Sequence, residues 1–70
     1  MEYADNLRKL GFICANFRKD ICKYQRDVAF DCNVSVETVC AFEHGRTNNA
    51  MVFLWYVDHG LPVECLKGVL

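Results

Sequence analysis

Side chains that can hold phosphate oxygens are concentrated in two short polar segments of the sequence. Ammonium, guanidinium, amide and hydroxyl groups of this kind donate hydrogen bonds to nucleic-acid backbones. A polar run is more often an ordinary solvated surface. The first of these segments stands at the start of one predicted helix, and the second follows the next predicted helix. We call residues 23–26 the first donor segment and residues 46–49 the second donor segment. Their members are Lys23, Tyr24, Gln25 and Arg26, and Arg46, Thr47, Asn48 and Asn49.

Cysteine and histidine offer a second kind of chemistry. Disulfide frameworks favour an even number of cysteines, and zinc ribbons need closely spaced ligand pairs. Neither pattern is present, so we expect reduced cysteines that act as small apolar side chains. Cys40 and His44 are four residues apart and could share a metal, but two ligands do not complete a site. We therefore expect no metal and no cofactor. The cysteines are Cys14, Cys22, Cys32, Cys40 and Cys65.

Enzymatic activity is not expected from the residue pattern. The sequence has no glycine-rich phosphate loop, and its spacing suggests no set of nucleophile, base and orienting group. A core of this size also leaves little room for a substrate pocket.

Length and composition predict one small globular domain spanning residues 1–70, with residues 1–9 as an N-terminal extension. The chain is 53% hydrophobic, which is enough for a packed core. No apolar run approaches the roughly 18 residues of a membrane span, and the N-terminus has no signal pattern. Together with reduced cysteines, this predicts a cytoplasmic protein without a membrane partner.

The charge is unevenly distributed. The formal net charge is −1, and residues 1–27 carry six basic and four acidic groups. Residues 28–70 carry two basic and five acidic groups. A clear basic excess, which is common in DNA-binding domains, is missing.

The apolar spacing predicts an all-α domain of five helices. Leu7, Leu10, Cys14, Phe17 and Ile21 form one helical stripe, with Asp5 or Asn6 as the N-cap. The first helix is predicted from about Asn6 or Leu10 to about Lys19, and further helices are predicted over residues 25–32, 36–44, 50–58 and 62–66. The β-branched and aromatic residues of segment 50–58 also suit a strand, but its length and flanking cap signals favour a helix.

The turns between these helices have recognisable signals. Asn33 suits a left-handed turn position, and Ser35 suits the N-cap of the third helix. Gly45 is suited to end that helix. Residues 47–49 then predict a polar loop and cap before the fourth helix.

A set of residues in this order resembles the Cro/repressor-type helix-turn-helix family, of the lambda-repressor-like and xenobiotic-response-element-like kind. The similarity spans residues 10–66, and the set as a whole is more specific than any single residue. The matching positions are Leu10, Gly11, Cys14, Phe17, Arg18, Gln25, Val28, Ala29, Asn33, Val34, Ser35, Thr38, Val39, Glu43 and Gly45.

This resemblance implies a sequence-specific DNA-binding transcriptional regulator, such as a phage-type repressor, that binds double-stranded DNA as a homodimer. It implies that the helix near 36–44 enters the major groove, and that Gln25 contacts a phosphate. Arg18 and Glu43 match positions that form a structural ion pair in the family. A dimer contact through the apolar C-terminal residues Val63, Leu66, Val69 and Leu70 is also expected. The DNA-facing positions of the third helix would be Ser35, Val36, Glu37, Thr38 and Ala41.

The third helix departs from the family pattern and leaves a second hypothesis open. None of its DNA-facing positions holds Arg, Lys, Asn or Gln, the residues that most often contact base edges. Glu37 either accepts from a cytosine amino group or is a solvated acid in the first turn, and Val36 and Ala41 suit thymine methyls. Tyr24 also replaces the usual small capping residue. The alternative function is a protein-binding modulator on the same scaffold, such as a phage or mobile-element antirepressor or inhibitor of another regulator.

Overall fold

The computed structural model describes residues 3–69, which fold into four α-helices and one short 3₁₀ helix. The α-helices are α1 (Tyr3–Asp20), α2 (Gln25–Cys32), α3 (Val36–Glu43) and α4 (Ala50–Asp58), and the 3₁₀ helix is Val63–Leu66. No strand occurs within this part of the chain. The all-α prediction is therefore confirmed, and segment 50–58 is a helix. The Cα radius of gyration of 11.1 Å is that of a compact domain.

The predicted fifth α-helix is a single turn of 3₁₀ helix. Both flanking residues, Pro62 and Lys67, have extended backbones with ψ near 130°. Only four residues remain between them, and a segment this short commonly closes i to i+3 bonds instead of α-helical ones. The five-helix count is thus wrong for α-helices, although the segment lies where it was expected.

Helix α1 begins earlier than predicted. The structure places Tyr3 in the helix, so residues 3–9 are helical and Asp5 lies in the first turn instead of at the N-cap. Asp5 forms an ion pair with Arg8 one turn later. A negative charge in the first turn interacts favourably with the positive end of the helix dipole, which stabilises the additional N-terminal residues of α1.

Gly11 lets α1 approach α3 closely. A Cβ atom built at this position would lie 2.4 Å from the carbonyl oxygen of Glu43 and 2.6 Å from that of Phe42. The helix-weakening glycine in the middle of α1 is therefore required by packing.

The core contains the inward-facing residues predicted for α2 and α3. Val28, Ala29, Val39 and Phe42 are all buried. Cys14 is fully buried, and burial, with the charge of Glu43 as a smaller cause, raises the pKa of its thiol to about 12. It thus behaves as a small apolar side chain. The remaining core members are Leu10, Val52, Trp55, Tyr56, Leu61 and Leu66.

The connection from α2 to α3 follows the predicted turn chemistry. Asn33 adopts the left-handed conformation with φ 57° and ψ 46°. The Ser35 side chain then caps α3 by accepting from the Thr38 amide at 3.2 Å. Asn49 caps α4 in the same way, accepting from the Val52 amide at 3.1 Å. Both helices that follow a polar loop therefore begin where the sequence predicts.

Candidate nucleic-acid interface

A buried carboxylate, Glu43, joins all four α-helices. It accepts from Arg18 of α1 through Nε at 2.8 Å and the second guanidinium nitrogen at 3.0 Å. It also accepts from Gln25 Nε2 of α2 at 3.0 Å and from the Tyr56 hydroxyl of α4 at 2.5 Å. The expected Arg18–Glu43 ion pair is present and is bidentate. We call these four residues the polar hub.

The charged and polar side chains that the polar hub buries are hydrogen-bonded to one another. Burial by itself would raise the pKa of Glu43, but the hydrogen bonds from Arg18, Gln25 and Tyr56, together with the Arg18 charge, lower it overall. The pKa of Tyr56 is raised, first by burial and then by its bond to Glu43. The hydrogen bond to Glu43 is the main cause that raises the pKa of Arg18. Every member therefore keeps its ordinary charge at neutral pH.

The two donor segments lie at the same end of α3, and the polar hub holds the first of them there. Arg18 donates to the Lys23 carbonyl at 3.0 Å, and Gln25 donates to Glu43, the last residue of α3. The start of α2 is therefore held beside the end of α3. The second donor segment begins three residues after Glu43, following the turn at Gly45, where φ is 73°. Both donor segments thus meet at the C-terminal end of α3.

Most of the predicted phosphate-contacting side chains are exposed. Lys23, Arg26, Arg46, Thr47 and Asn48 lie at the surface. These side chains are accessible to solvent in the two segments for which the sequence predicts contacts to the DNA backbone.

Gln25 and Tyr24 have additional structural roles. Gln25 is half-buried because its amide nitrogen is bonded to Glu43. The Tyr24 ring is 60% exposed, and the Arg26 guanidinium lies 4.6 Å from its centroid. The backbone amide of Tyr24 donates to the Asp27 carboxylate at 2.7 Å, which satisfies the amide of the N-cap residue from the third residue of α2.

One side of α3 faces away from the core and towards solvent. Val36 and Glu37 are exposed, and Ala41 is half-buried on the same side. Ser35 and Thr38 face each other, with their hydroxyl oxygens 3.0 Å apart, so both are used in capping the helix. Val36, Glu37 and Ala41 therefore lie on the solvent-facing side of α3, which we call the presented surface. Ser35 and Thr38 instead cap the first turn of α3.

His44 is a residue of this surface that the sequence analysis weighed only as a metal ligand. It is exposed at the end of α3, and its Nδ1 lies 2.8 Å from the Cys40 carbonyl and 3.5 Å from the Cys40 sulfur. It lies seven residues after Glu37 and three after Ala41, which is helical spacing for one face. That spacing was visible in the sequence. His44 is thus an exposed polar side chain at the end of α3, two residues before the second donor segment.

Metal ligands do not converge in residues 3–69. No group of three or more His, Cys, Asp or Glu side chains is arranged to hold a metal there, and the five cysteines are free thiols. No helix in the described range is long and apolar enough to cross a membrane.

Comparison of the chain with protein-family models, with curated proteins and with solved structures gave no match.

Proposed function

We propose that the chain is a DNA-binding transcriptional regulator in which α2 and α3 form a helix-turn-helix and α3 enters the major groove. The observation that carries this proposal is the convergence of the two donor segments beside α3, fixed by the polar hub. In helix-turn-helix proteins, contacts to DNA phosphates position the helix that enters the major groove. Cationic and amide donors beside α3 are suited to make such contacts. The proposed location is the cytoplasm, where the DNA of a phage or a bacterial host is accessible.

Phosphate contacts supply most of the binding energy in this proposal. Lys23, Arg26 and Arg46 give three cationic side chains per subunit. A dimer would release about five counterions, so the slope of log K against log salt should be near −5. Thr47 and the remaining amide side chains add hydrogen bonds without charge.

Base contacts are few and come from the first turn, the second half and the C-terminal end of α3. Glu37 can accept from a cytosine amino group, and Val36 and Ala41 offer apolar contact to thymine methyls. His44 adds a ring that can donate or accept at the end of the helix. Discrimination between sequences should therefore be modest compared with that of a helix containing Arg or Gln.

The homodimer remains part of the proposal, but its expected interface changes. Leu66 is only 6% exposed and belongs to the core of its own chain, and Val69 packs against that core. Val63 is 69% exposed and is the C-terminal apolar residue available to a second copy. Leu70 lies outside the described residues. A strictly monomeric mass by light scattering at high micromolar concentration, with and without DNA, would refute the dimer.

The deciding experiment is selection of random-sequence duplexes by the purified protein at about 50 mM salt, followed by fluorescence titration on a selected and a scrambled site. Arg46→Ala should weaken binding on both duplexes about equally and reduce the salt slope by about 1 per subunit. Lys67→Ala is the matched control, because Lys67 is exposed beyond the 3₁₀ helix and outside both donor segments. Glu37→Ala should change preference at one base position without reducing non-specific affinity.

Failure of the wild-type chain to bind any duplex at this salt concentration would refute the DNA proposal. The protein-binding modulator would then be the leading function. One observation favours it as a second candidate: large apolar side chains such as Phe12, Phe30 and Met51 are 66%, 86% and 63% exposed. Exposed apolar side chains mark protein contacts where they lie together in one patch.

A further inference from the structure

A shallow concavity between α2 and α4 is separate from the proposed DNA-binding surface. Its volume is about 530 Å³. It is lined by Asp31 and Cys32 from α2, and by Met51, Leu54, Trp55, Asp58 and His59 from α4 and its C-terminal end. None of these residues belongs to either donor segment or to α3. The concavity therefore has no part in the DNA binding proposed above.

The floor of this concavity is rigidly held, while its apolar walls face solvent. Trp55 is 5% exposed, and its indole nitrogen donates to Asp31 at 2.8 Å. The His59 ring stacks on the indole with centroids 3.8 Å apart. Met51 and Leu54, in contrast, are 63% and 54% exposed, so two large apolar side chains of α4 remain uncovered by this chain.

The concavity is acidic as well as apolar. Asp31 and Asp58 lie among its lining residues, which include no Lys or Arg. Between Arg26 and Lys67 the sequence has a single basic residue, Arg46, and that residue belongs to the second donor segment. Within the lining of the concavity, therefore, no Lys or Arg side chain neutralises the two carboxylates.

We propose that this concavity binds an amphipathic helix of a partner protein whose apolar side chains are flanked by Lys or Arg. Met51 and Leu54 would receive the apolar side chains, and Asp31 and Asp58 would face the cations. Helix-in-groove recognition combines apolar anchors with complementary charges of this kind.

The charges argue against the two other simple occupants. A two-fold contact between copies of this chain would bring Asp31 and Asp58 of one copy towards the same acids of the other, and like charges in an interface are unfavourable. The same acids would repel a nucleic-acid backbone. A basic partner helix is the occupant that both the apolar and the acidic side chains fit.

The experiment uses Trp55, the single tryptophan of the chain, as the reporter. The full chain is titrated with a synthetic 18-residue amphipathic peptide of Leu and Lys, and with a Leu and Glu peptide of the same periodicity. The Leu–Lys peptide should change the Trp55 emission saturably, and the Leu–Glu peptide should not. Leu54→Gln should weaken binding about tenfold, and Asp58→Asn about threefold at low salt and less at high salt.

Phe12→Gln is the matched control, because Phe12 is 66% exposed on α1 and outside the concavity. It should leave the peptide affinity unchanged. Equal weakening by Phe12→Gln and Leu54→Gln, or equal binding of the acidic peptide, would overturn the proposal. So would Leu54-dependent self-association in light scattering, which would identify a second copy as the occupant. DNA titration of Leu54→Gln should match the wild type, so the outcomes for the two surfaces are distinguishable.

Discussion

Gly11→Ala should destabilise the domain, although the same change stabilises most helices. In an unhindered helix interior, replacing Gly by Ala gains about 1 kcal/mol. Here the new methyl group would lie 2.4 Å from the Glu43 carbonyl oxygen and 2.6 Å from that of Phe42. An ordinary carbon–oxygen contact is about 3.3 Å or longer, so α1 and α3 would have to separate by about 1 Å.

The expected cost follows from what that separation disturbs. Overpacking a well-filled contact costs about 1 to 3 kcal/mol. The shift would also stretch the Arg18–Glu43 bonds, which join the same two helices at 2.8 and 3.0 Å. Weakening a charged hydrogen bond adds about 1.5 kcal/mol. We therefore expect a net loss of about 1.5 to 3.5 kcal/mol after subtracting the propensity gain of about 1 kcal/mol. This is a large part of the roughly 4 to 10 kcal/mol that a domain of this size has.

Urea unfolding followed by circular dichroism at neutral pH measures this loss. Asn16→Ala is the control, because Asn16 is exposed on the same helix and gains propensity without meeting another backbone. It should stabilise the domain by about 0.5 kcal/mol. A Gly11→Ala protein as stable as the wild type, or more stable, would show that α1 and α3 are farther apart than the structure places them.

Three further changes test the polar hub and the turn. Tyr56→Phe removes the hydroxyl that donates to Glu43 at 2.5 Å and should cost about 1 to 3 kcal/mol in urea unfolding. Because the folded pKa of Glu43 is lowered, its stabilisation is present above its unfolded pKa of about 4.3 and is lost as pH falls through the folded pKa. Acid titration of unfolding should therefore show a steeper loss in the wild type than in Glu43→Gln; parallel curves would contradict the hub. Ser35→Ala removes the α3 cap and should cost about 1 kcal/mol, whereas the exposed Ser35→Asp should keep it; equal losses would mean that the side chain does not cap.

Features set by local chemistry were predictable from the sequence. The bounds of α2 and α4 coincide with the predicted ones, and the positive φ of Asn33 and the Ser35 cap are present. Each of these depends on a few neighbouring residues whose backbone preferences are strong. The N-terminus of α1 was misplaced because Asp5 can stabilise a helix either as a cap or inside the first turn, and the sequence does not distinguish the two positions.

Contacts between distant residues were predictable only where a family pattern pointed to them. The Arg18–Glu43 pair followed from the resemblance, but the roles of Tyr56 and Gln25 in the same hub did not. Their bonds join residues 13 and 18 positions apart along the chain, which produces no periodic signal. Gly11 had the same difficulty, since the reason for it lies in the backbone of α3. The concavity likewise depends on α2 and α4 packing side by side.

The main argument against the proposed DNA binding is the formal net charge of −1, and the distribution of charge bears on it. Electrostatic attraction depends on the charges within about one Debye length, some 8 Å at physiological salt, of the phosphates. The domain measures 33 × 22 × 16 Å, so its faces act largely separately. Asp31 and Asp58 line the concavity, and the charge of Glu43 is paired with Arg18 inside the hub. Glu37 is the acid that remains on the presented surface of α3. Removing the Glu37 side chain should therefore not reduce the non-specific affinity for DNA. The net charge of the whole chain is a poor measure of the electrostatic potential at the proposed DNA-binding surface.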